Sequence, residues 1–300
     1  MNWVGTLSDS GGTPSHLMMD EAGRYLSRTD LGHRSPWASN PGVTEAPVLS
    51  CRKSFHIFMT DGGWNSVATS TLNHLDTSGD GRTRIVRGGN ADNTQITLPD
   101  GVVYDPTSAQ TRLYRDNWGS NGLSTLSDLA FYYWSRDLQP GIPNKVVPSP
   151  KQQFPAQNFG TAEAPATLEP YWNPRNNPAT WQHMVNYTIG FNTAATWTGG
   201  PTWAGDTFSG LAPLIKGTTL WPTPFCNADK NGPGNLACDG SGGYSERENE
   251  RKIESWHAAL NSRGRFVPAP DATALVTAFQ GILDDILNQT ANPLVSIASS

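Results

Sequence analysis

A short apolar run that ends abruptly in small polar residues is the feature that most limits the fold of this chain. Residues 55–59 read Phe-His-Ile-Phe-Met, and Thr60-Asp61-Gly62-Gly63 follow directly. This pattern is typical of a buried strand of a parallel sheet, which is covered on both faces and delivers polar side chains to the loop at its carboxyl end. The run predicts an α/β protein whose functional loops begin where such strands end.

Apolar periodicity predicts two more strands and four helices. Because strands alternate with helices, we expect βαβ units and a parallel sheet with helices on both faces. Three strands are fewer than a doubly wound sheet usually has, so the sheet is predicted to be incomplete. The strands are 184–191 and an edge strand at 265–269, and the helices are 14–28 (apolar at 18, 22, 25 and 26), 123–138, 253–262 and 271–288 (N-cap Asp271; stripe Leu275, Ala278, Phe279, Ile282, Leu283 and Ile286).

Long segments rich in glycine, proline and polar residues separate these elements. We interpret 64–122, 139–179 and 192–250 as insertions within a single domain that covers residues 1–290. The nine prolines of 139–179 favour an extended linker or a surface loop. Residues 291–300 are interpreted as the start of a linker to a C-terminal domain that this chain does not contain.

The composition excludes several classes of protein. The 300 residues carry 21 basic and 26 acidic side chains, a net charge of −5, and no Lys/Arg cluster, which argues against a nucleic-acid-binding surface. No stretch approaches 18 apolar residues, so no membrane span is expected. Charged residues are only 16% of the chain, and glycine, proline and tryptophan are abundant, as in secreted and cell-surface proteins. The export signal of such a protein is not visible in this chain.

Three cysteines leave one thiol unpaired, whatever the pairing. Cys226 and Cys238 flank a loop rich in glycine and asparagine, which favours a small disulfide ring, with two free thiols as the alternative. The partner of Cys51 stays open. None of the three lies in a CxxC motif, so zinc or thioredoxin chemistry is not expected.

Two loops present oxygen atoms that suit a divalent cation. Gly11-Gly12-Thr13-Pro14 places the hydroxyl of Thr13 at a helix start, and the carboxylate of Asp61 follows a strand. Oxygen ligands from separate loops suit Mg²⁺ or Ca²⁺. The alternative is that Thr13 is a helix cap and Asp61 a turn residue.

A second candidate cation loop lies in the first insertion. Asp76, Ser78 and Asp80 resemble the opening of a Ca²⁺ loop, with Gly81 at its sixth position. Position 12 is Arg87 instead of glutamate, which favours a plain turn.

The Gly-Gly-Thr-Pro loop before a helix and the strand that ends Thr60-Asp61-Gly62 resemble the second half of a von Willebrand factor A domain. Such domains are Rossmann-like and hold a metal-ion-dependent adhesion site built from a DxSxS motif, a later Thr and a later Asp; the resemblance implies Thr13 and Asp61 at the last two positions. Four blocks, at 51–65, 126–138, 178–190 and 256–266, resemble type IV pilus tip adhesin and biogenesis proteins of the PilY type.

The resemblance implies adhesion and pilus assembly, with minor pilins and a host or surface ligand as partners. It implies a location at the pilus tip or outer membrane of a Gram-negative bacterium. Only twelve residues precede Thr13 and none forms an apolar strand, so the DxSxS strand is expected to be absent from this chain. We therefore expect this incomplete von Willebrand A-like sheet to bind Mg²⁺ or Ca²⁺ weakly.

Two other interpretations remain: a secreted, tryptophan-rich carbohydrate-binding protein or glycoside-active enzyme, and a gene fragment without function. An enzyme is not the leading interpretation, because Asp128 and Asp137 lie on or beside one helix, a poor geometry for flanking a glycosidic bond. The histidines show no metal spacing, and His183 and His257 are expected to pack or to hydrogen-bond. Trp134, Trp181 and Trp256 are expected in the core, while Trp197, Trp203 and Trp221, in loops, could meet a sugar.

Overall fold

The computed structural model describes residues 15–29, 35–40, 47–60, 68–69, 89–117, 123–149, 154–191, 206–224 and 248–290. Its helices are α1 (Ser15–Leu26), α2 (Leu126–Trp134), α3 (Ala212–Lys216), α4 (Glu248–Asn261) and α5 (Ala272–Thr290). Its strands are β1 (Ser54–Thr60), β2 (Ala68–Thr69), β3 (Ile96–Thr97), β4 (Val103–Tyr104), β5 (Leu123–Ser124), β6 (Gln157–Asn158), β7 (Thr167–Leu168), β8 (Met184–Phe191) and β9 (Phe266–Ala269).

A parallel sheet of β1, β8 and β9, in that order, forms the centre of the described structure. The β1–β8 ladder runs from Ser54 opposite Met184 to Thr60 opposite Gly190. Within the described residues β9 lies at one edge, as expected for the last strand. The predicted α/β, Rossmann-like parallel sheet is therefore confirmed. The short strands pair as antiparallel ribbons outside this sheet (β2 with β5, β3 with β4, β6 with β7).

Helices cover both faces of the sheet, as the alternation of elements predicts. Side chains alternate between the faces of a strand, and in β8 they divide accordingly. Met184 packs in one cluster with residues of α1, α2 and α4, such as Met19 and Leu129. Val185, Tyr187 and Ile189 pack on the other face, where Ala278 and Ile282 of α5 join them. Burial on both faces explains why β8 is apolar along most of its length.

A third cluster, rich in aromatic residues, joins the segments between the strands to α2 and α4. Trp134 and Trp181 lie edge to face with ring centroids 5.7 Å apart, and Trp181 Nε1 donates to the Trp134 carbonyl at 2.7 Å. Leu168 and Ala179 are buried in the same cluster. The described part of 139–179 is mostly exposed or half-buried, as expected for a surface loop, but Ala166, Leu168 and much of 172–179 are buried in this cluster and anchor the segment to it. The insertion boundaries and the linker at 291–300 stay predictions.

The first helix confirms its predicted position but not its predicted buried face. Met18 and Tyr25 are about half exposed, whereas His16, Asp20 and Gly23 are buried. The reason is the close approach of Tyr133: a Cβ at position 23 would overlap its ring, and the Tyr133 hydroxyl donates to Asp20 Oδ1 at 2.6 Å. A small residue and a buried hydrogen bond therefore select this face together with apolar contacts: Met19 is buried, and Ala22 and Leu26 of the predicted apolar set pack partly buried against the same cluster.

The three other predicted helices differ from their predictions in detail, and α4 begins at Glu248 and not at 253. α2 begins at Leu126 and not at 123, because Leu123 and Ser124 pair with β2 and Thr125 caps the helix. Asp271 caps α5 as predicted, since Asp271 Oδ1 accepts from Ala274 N at 2.8 Å. The apolar stripe of α5 buries Ala278 and Ile282 but leaves Leu283 half exposed.

Candidate functional site

The predicted cation ligands flank elements that the structure confirms. β1 ends at Thr60, immediately before Asp61, and α1 begins at Ser15, two residues after Thr13. Asp61 and Thr13 themselves lie outside the described residues, so their meeting stays a prediction. The described residues also leave out the second candidate cation loop (Asp76, Ser78 and Asp80) and the two cysteines of the predicted disulfide (Cys226 and Cys238), so both stay predictions. Cys51 is exposed and is not in a disulfide within the described part of the chain.

The described residues contain a different cluster of oxygen ligands. Asp92, Asp116 and Asp128 each present a carboxylate oxygen, and the three oxygens lie within 4.8 Å of one another. Asp92 and Asp128 have no exposed surface, and Asp116 is 4% exposed. We name these residues the acidic triad. Carboxylates are almost never buried without a charge partner or a metal, so the triad requires an explanation.

The cap of α2 positions the first member of the triad. Thr125 precedes the helix, and its hydroxyl accepts from Asp128 N at 3.0 Å. Asp128 Oδ2 in turn accepts from Thr125 N at 3.0 Å, which completes a capping box. The other oxygen of Asp128 accepts from the backbone N–H of Asp92 at 3.1 Å, which ties the helix start to the segment 89–117.

Asparagine side chains hold the other two carboxylates. Asn93 Nδ2 donates to Asp116 Oδ1 at 2.6 Å and to Asp92 Oδ1 at 3.3 Å. Asn261, the last residue of α4, donates from Nδ2 to Asp92 Oδ2 at 3.1 Å. Thr125 Oγ1 lies 3.3 Å from Asp116 Oδ2. The triad is thus a junction of the segment 89–117, the start of α2 and the end of α4.

The burial and mutual repulsion of the three carboxylates favour neutralisation of their negative charge. Burial raises the pKa of Asp92 well above its ordinary value, and the nearby charges of Asp116 and Asp128 raise it further. Burial also raises the pKa of Asp128, to about 7, against hydrogen bonds that lower it. His257 Nε2 lies 3.9 Å from Asp92 Oδ2, but burial holds the pKa of that imidazole well below its usual range, so it brings no charge. The cluster can hold protons or a metal ion.

The aromatic and histidine predictions have mixed outcomes. Trp134, Trp181 and Trp256 are core residues, and the buried rings of His183 and His257 hydrogen-bond as expected. Trp221 is also buried, stacked on His257 at 4.3 Å, so it presents no surface to a sugar. Trp197 and Trp203 lie outside the described residues.

Sequence reasoning does not find the triad as a site. It suggests Asp128 only as a member of a glycosidase carboxylate pair, and the burial of Asp128 inside a cap removes it from contact with a polysaccharide. The Thr125-x-x-Asp128 spacing does signal a capping box. Asp92 and Asp116 carry no signal of their own, because the partners come from separate segments and no short spacing joins them.

Comparisons with known proteins agree with the resemblance that the four sequence blocks carry. The described architecture defines an α/β protein with a Rossmann-like parallel sheet. The chain is 39% identical over 286 residues to the type IV pilus biogenesis factor PilY1 of Pseudomonas aeruginosa PAO1, and 40% and 36% identical to PilY1 of strains PAK and UCBPP-PA14. Each alignment covers 95% of this chain. Over nearly its whole length the chain is therefore related to one region of the PilY1 proteins, which are named type IV pilus biogenesis factors.

The alignments cover nearly all of this chain but only a small part of its relatives. The chain spans about a fifth of the length of the PilY1 relatives, 19–20% of each. No family model matches the chain, and no solved structure matches it. Among the described residues, none of the helices is long and apolar enough to cross a lipid bilayer.

Proposed function

We propose that this chain works in type IV pilus biogenesis at the cell surface, as part of a protein of the PilY1 type. The observation that carries the proposal is the 36–40% identity to three PilY1 proteins, sustained over 95% of this chain. Its partners in this role are minor pilins and a host or surface ligand, and its location is the pilus tip or outer membrane.

A chimera tests the role in pilus biogenesis. In a Pseudomonas aeruginosa strain that lacks PilY1, one expresses PilY1 in which this chain replaces the aligned 286 residues. A second form of PilY1, expressed in the same strain, lacks those residues altogether. We expect surface pili and twitching motility with the chimera and a loss of both with the deletion. Normal piliation with the deletion, at equal protein levels, would refute a role for this region.

The finer proposal concerns adhesion. The domain is a von Willebrand A-like domain with insertions, and Thr13 and Asp61 contribute to its metal-ion-dependent site. Support comes from the confirmed ends of β1 and α1, which lie next to these residues in the chain. A hydroxyl and a carboxylate are ligands that Mg²⁺ and Ca²⁺ accept. A bound ion would supply an open coordination position for an acidic group of the partner.

A point variant separates adhesion from assembly. In the chimera, Asp61→Ala is expected to reduce metal-dependent attachment to a surface while the number of surface pili stays unchanged. Asp100→Asn, which changes an exposed carboxylate elsewhere in the chain, is the matched control. If the Asp61→Ala chimera attaches as strongly as the unaltered chimera, and chelator does not weaken the attachment of either, the proposal of adhesion through this site is wrong.

A further inference from the structure

We propose that the acidic triad and the amide oxygen of Asn261 form a buried Ca²⁺ site that joins the segment 89–117 to α2 and α4. This site is separate from the one proposed at Thr13 and Asp61. Three features of the molecule support it: the geometry of the three carboxylates, an unsatisfied buried oxygen beside them, and the space that borders them.

The separation of the carboxylates suits one calcium ion. Ca²⁺ binds six to eight oxygens at about 2.3–2.6 Å, so two oxygens on opposite sides of the ion are about 4.6–5.2 Å apart. The three carboxylate oxygens of the triad lie within 4.8 Å of one another. Even at the full separation of 4.8 Å, an ion at the centre of the three oxygens would be about 2.8 Å from each, so small side-chain movements bring all three to contact with one Ca²⁺. Thr125 Oγ1, 3.0 Å from Asp128 Oδ2 and 3.3 Å from Asp116 Oδ2, offers a neutral oxygen at the same place.

Asn261 provides an observation independent of the acidic residues. Its side chain has no exposed surface, and its Oδ1 has no hydrogen-bond partner among the residues that the structure describes. The Nδ2 of the same amide donates to Asp92 Oδ2 at 3.1 Å, to the Tyr114 carbonyl at 2.9 Å and to the Ser127 carbonyl at 3.3 Å. The amide thus contacts each of the three chain segments that carry the carboxylates.

The unsatisfied oxygen of Asn261 belongs to an amide that already contacts the triad through its nitrogen, and a rotation of the side chain would turn the oxygen toward an ion there. Nitrogen and oxygen of one amide are about 2.2 Å apart, so Oδ1 lies no more than about 5.3 Å from Asp92 Oδ2. The three acceptors around Nδ2 fix which end of the amide is the nitrogen. A buried acceptor without a donor costs free energy, and a cation at the triad would satisfy it.

The space beside the triad favours an ion that sheds its water. A partly open void lined by Asp116, Thr125 and Ser127 does not admit a water-sized sphere, so it leaves no room for a hydrated ion beside Asp116, the one member of the triad that lines it. Mg²⁺ keeps several waters and dehydrates reluctantly, whereas Ca²⁺ accepts a cage made only of protein oxygens.

Calorimetry with the full chain, treated first with chelator, tests the proposal. We expect one Ca²⁺ per chain and a higher melting temperature in CaCl₂, with a smaller rise in MgCl₂. Asp92→Asn and Asp116→Asn should each weaken Ca²⁺ binding by more than about tenfold. Asp100→Asn, which changes an exposed carboxylate in the same segment, should leave it unchanged. Equal Ca²⁺ binding by the wild type and Asp92→Asn would overturn the proposal.

Asp61→Ala separates this site from the adhesion-type site. Retention of Ca²⁺ binding in Asp61→Ala, with loss in Asp116→Asn, supports the triad. Loss in Asp61→Ala, with retention in Asp116→Asn, contradicts it and leaves the adhesion-type site as the one that binds.

A measurement on the wild type covers the case in which the triad variants fail to fold. Hydrogen exchange of the chain is compared in CaCl₂ and in chelator. We expect Ca²⁺ to slow exchange at residues 91–93, 114–117 and 125–129 together, because all three segments contact the triad. Unchanged exchange in these segments overturns the proposal.

Discussion

The turn between α4 and β9 approaches β8 so closely at Gly264 that adding one methyl group there tests the packing of the fold. Gly264 follows Arg263, whose φ of 64° is left-handed, and Gly264 N donates to the Ala259 carbonyl at 2.9 Å, closing the end of α4. A Cβ at position 264 would overlap the carbonyl oxygen of Asn186 and lie 2.7 Å from its carbon. Asn186 belongs to β8, the central strand of the sheet, so its backbone has little freedom to move.

The size of the effect follows from the contacts that would be lost. Carbon atoms in contact are normally about 3.5 Å apart, so the turn would have to move by about 0.8 Å or more. Such a shift disturbs the hydrogen bonds from Asn186 N to Ser262 Oγ at 3.0 Å and from Thr188 N to the Arg265 carbonyl at 2.9 Å. With the helix-closing bond included, we expect Gly264→Ala to lower the free energy of unfolding by about 3 kcal/mol.

Urea denaturation monitored by the fluorescence of the buried tryptophans measures this change. Gly281→Ala is the matched control, because position 281 lies within α5 and a Cβ there meets no atom of the described residues within 4 Å. Alanine is favoured over glycine in a helix, so this control should stabilise the chain by about 0.5–1 kcal/mol. The same substitution should therefore act with opposite sign at the two positions. A Gly264→Ala midpoint equal to that of the wild type would refute the close approach of the turn to β8.

Three further predictions concern buried groups. Gly23→Ala should lower the free energy of unfolding by about 2 kcal/mol, since its Cβ would overlap the buried ring of Tyr133; thermal melts of this variant and Met18→Ala, an exposed neighbour, check it. Burial lowers the pKa of His183 to about 4, below the unfolded value near 6.5, so the unfolded chain binds the extra proton and stability should fall by about 3 kcal/mol between pH 6.5 and pH 4. The raised pKa of Asp128 changes stability with pH in the opposite direction. The quantity to measure is therefore the difference in free energy of unfolding between the wild type and His183→Gln at each pH. A difference that does not change with pH would contradict the prediction. Burial lowers the pKa of Lys53 to about 8, so stability should rise from pH 8 toward pH 10.5, and Lys53→Met should lose that rise in urea titrations at each pH.

The parallel sheet can be predicted because its strands carry strong local patterns. The run at 55–59 and the apolar run at 184–191 are short and bounded by polar residues, and both are strands of the sheet. Periodicity also locates α5, where Asp271 caps as predicted. The buried face of α1 cannot be predicted, because Tyr133, which lies more than a hundred residues away, determines it.

The acidic triad is beyond the reach of sequence patterns for a related reason. Local signals describe residues that are near in sequence, but Asp92, Asp116 and Asp128 come together only when the segment 89–117 packs against α2. The composition of this segment predicts an insertion, and nothing in it marks two of its carboxylates for burial. The predicted ligands Thr13 and Asp61, by contrast, adjoin regular elements and are therefore visible in the sequence.

Long-wavelength X-ray diffraction from crystals grown with CaCl₂ tests the buried calcium site most directly, since calcium gives an anomalous signal that carboxylates do not. We expect an anomalous peak at about 2.3–2.6 Å from oxygens of Asp92, Asp116 and Asp128, with Asn261 Oδ1 turned toward it. A well-ordered triad without a peak, its carboxyl groups hydrogen-bonded to one another through shared protons, would contradict the calcium site.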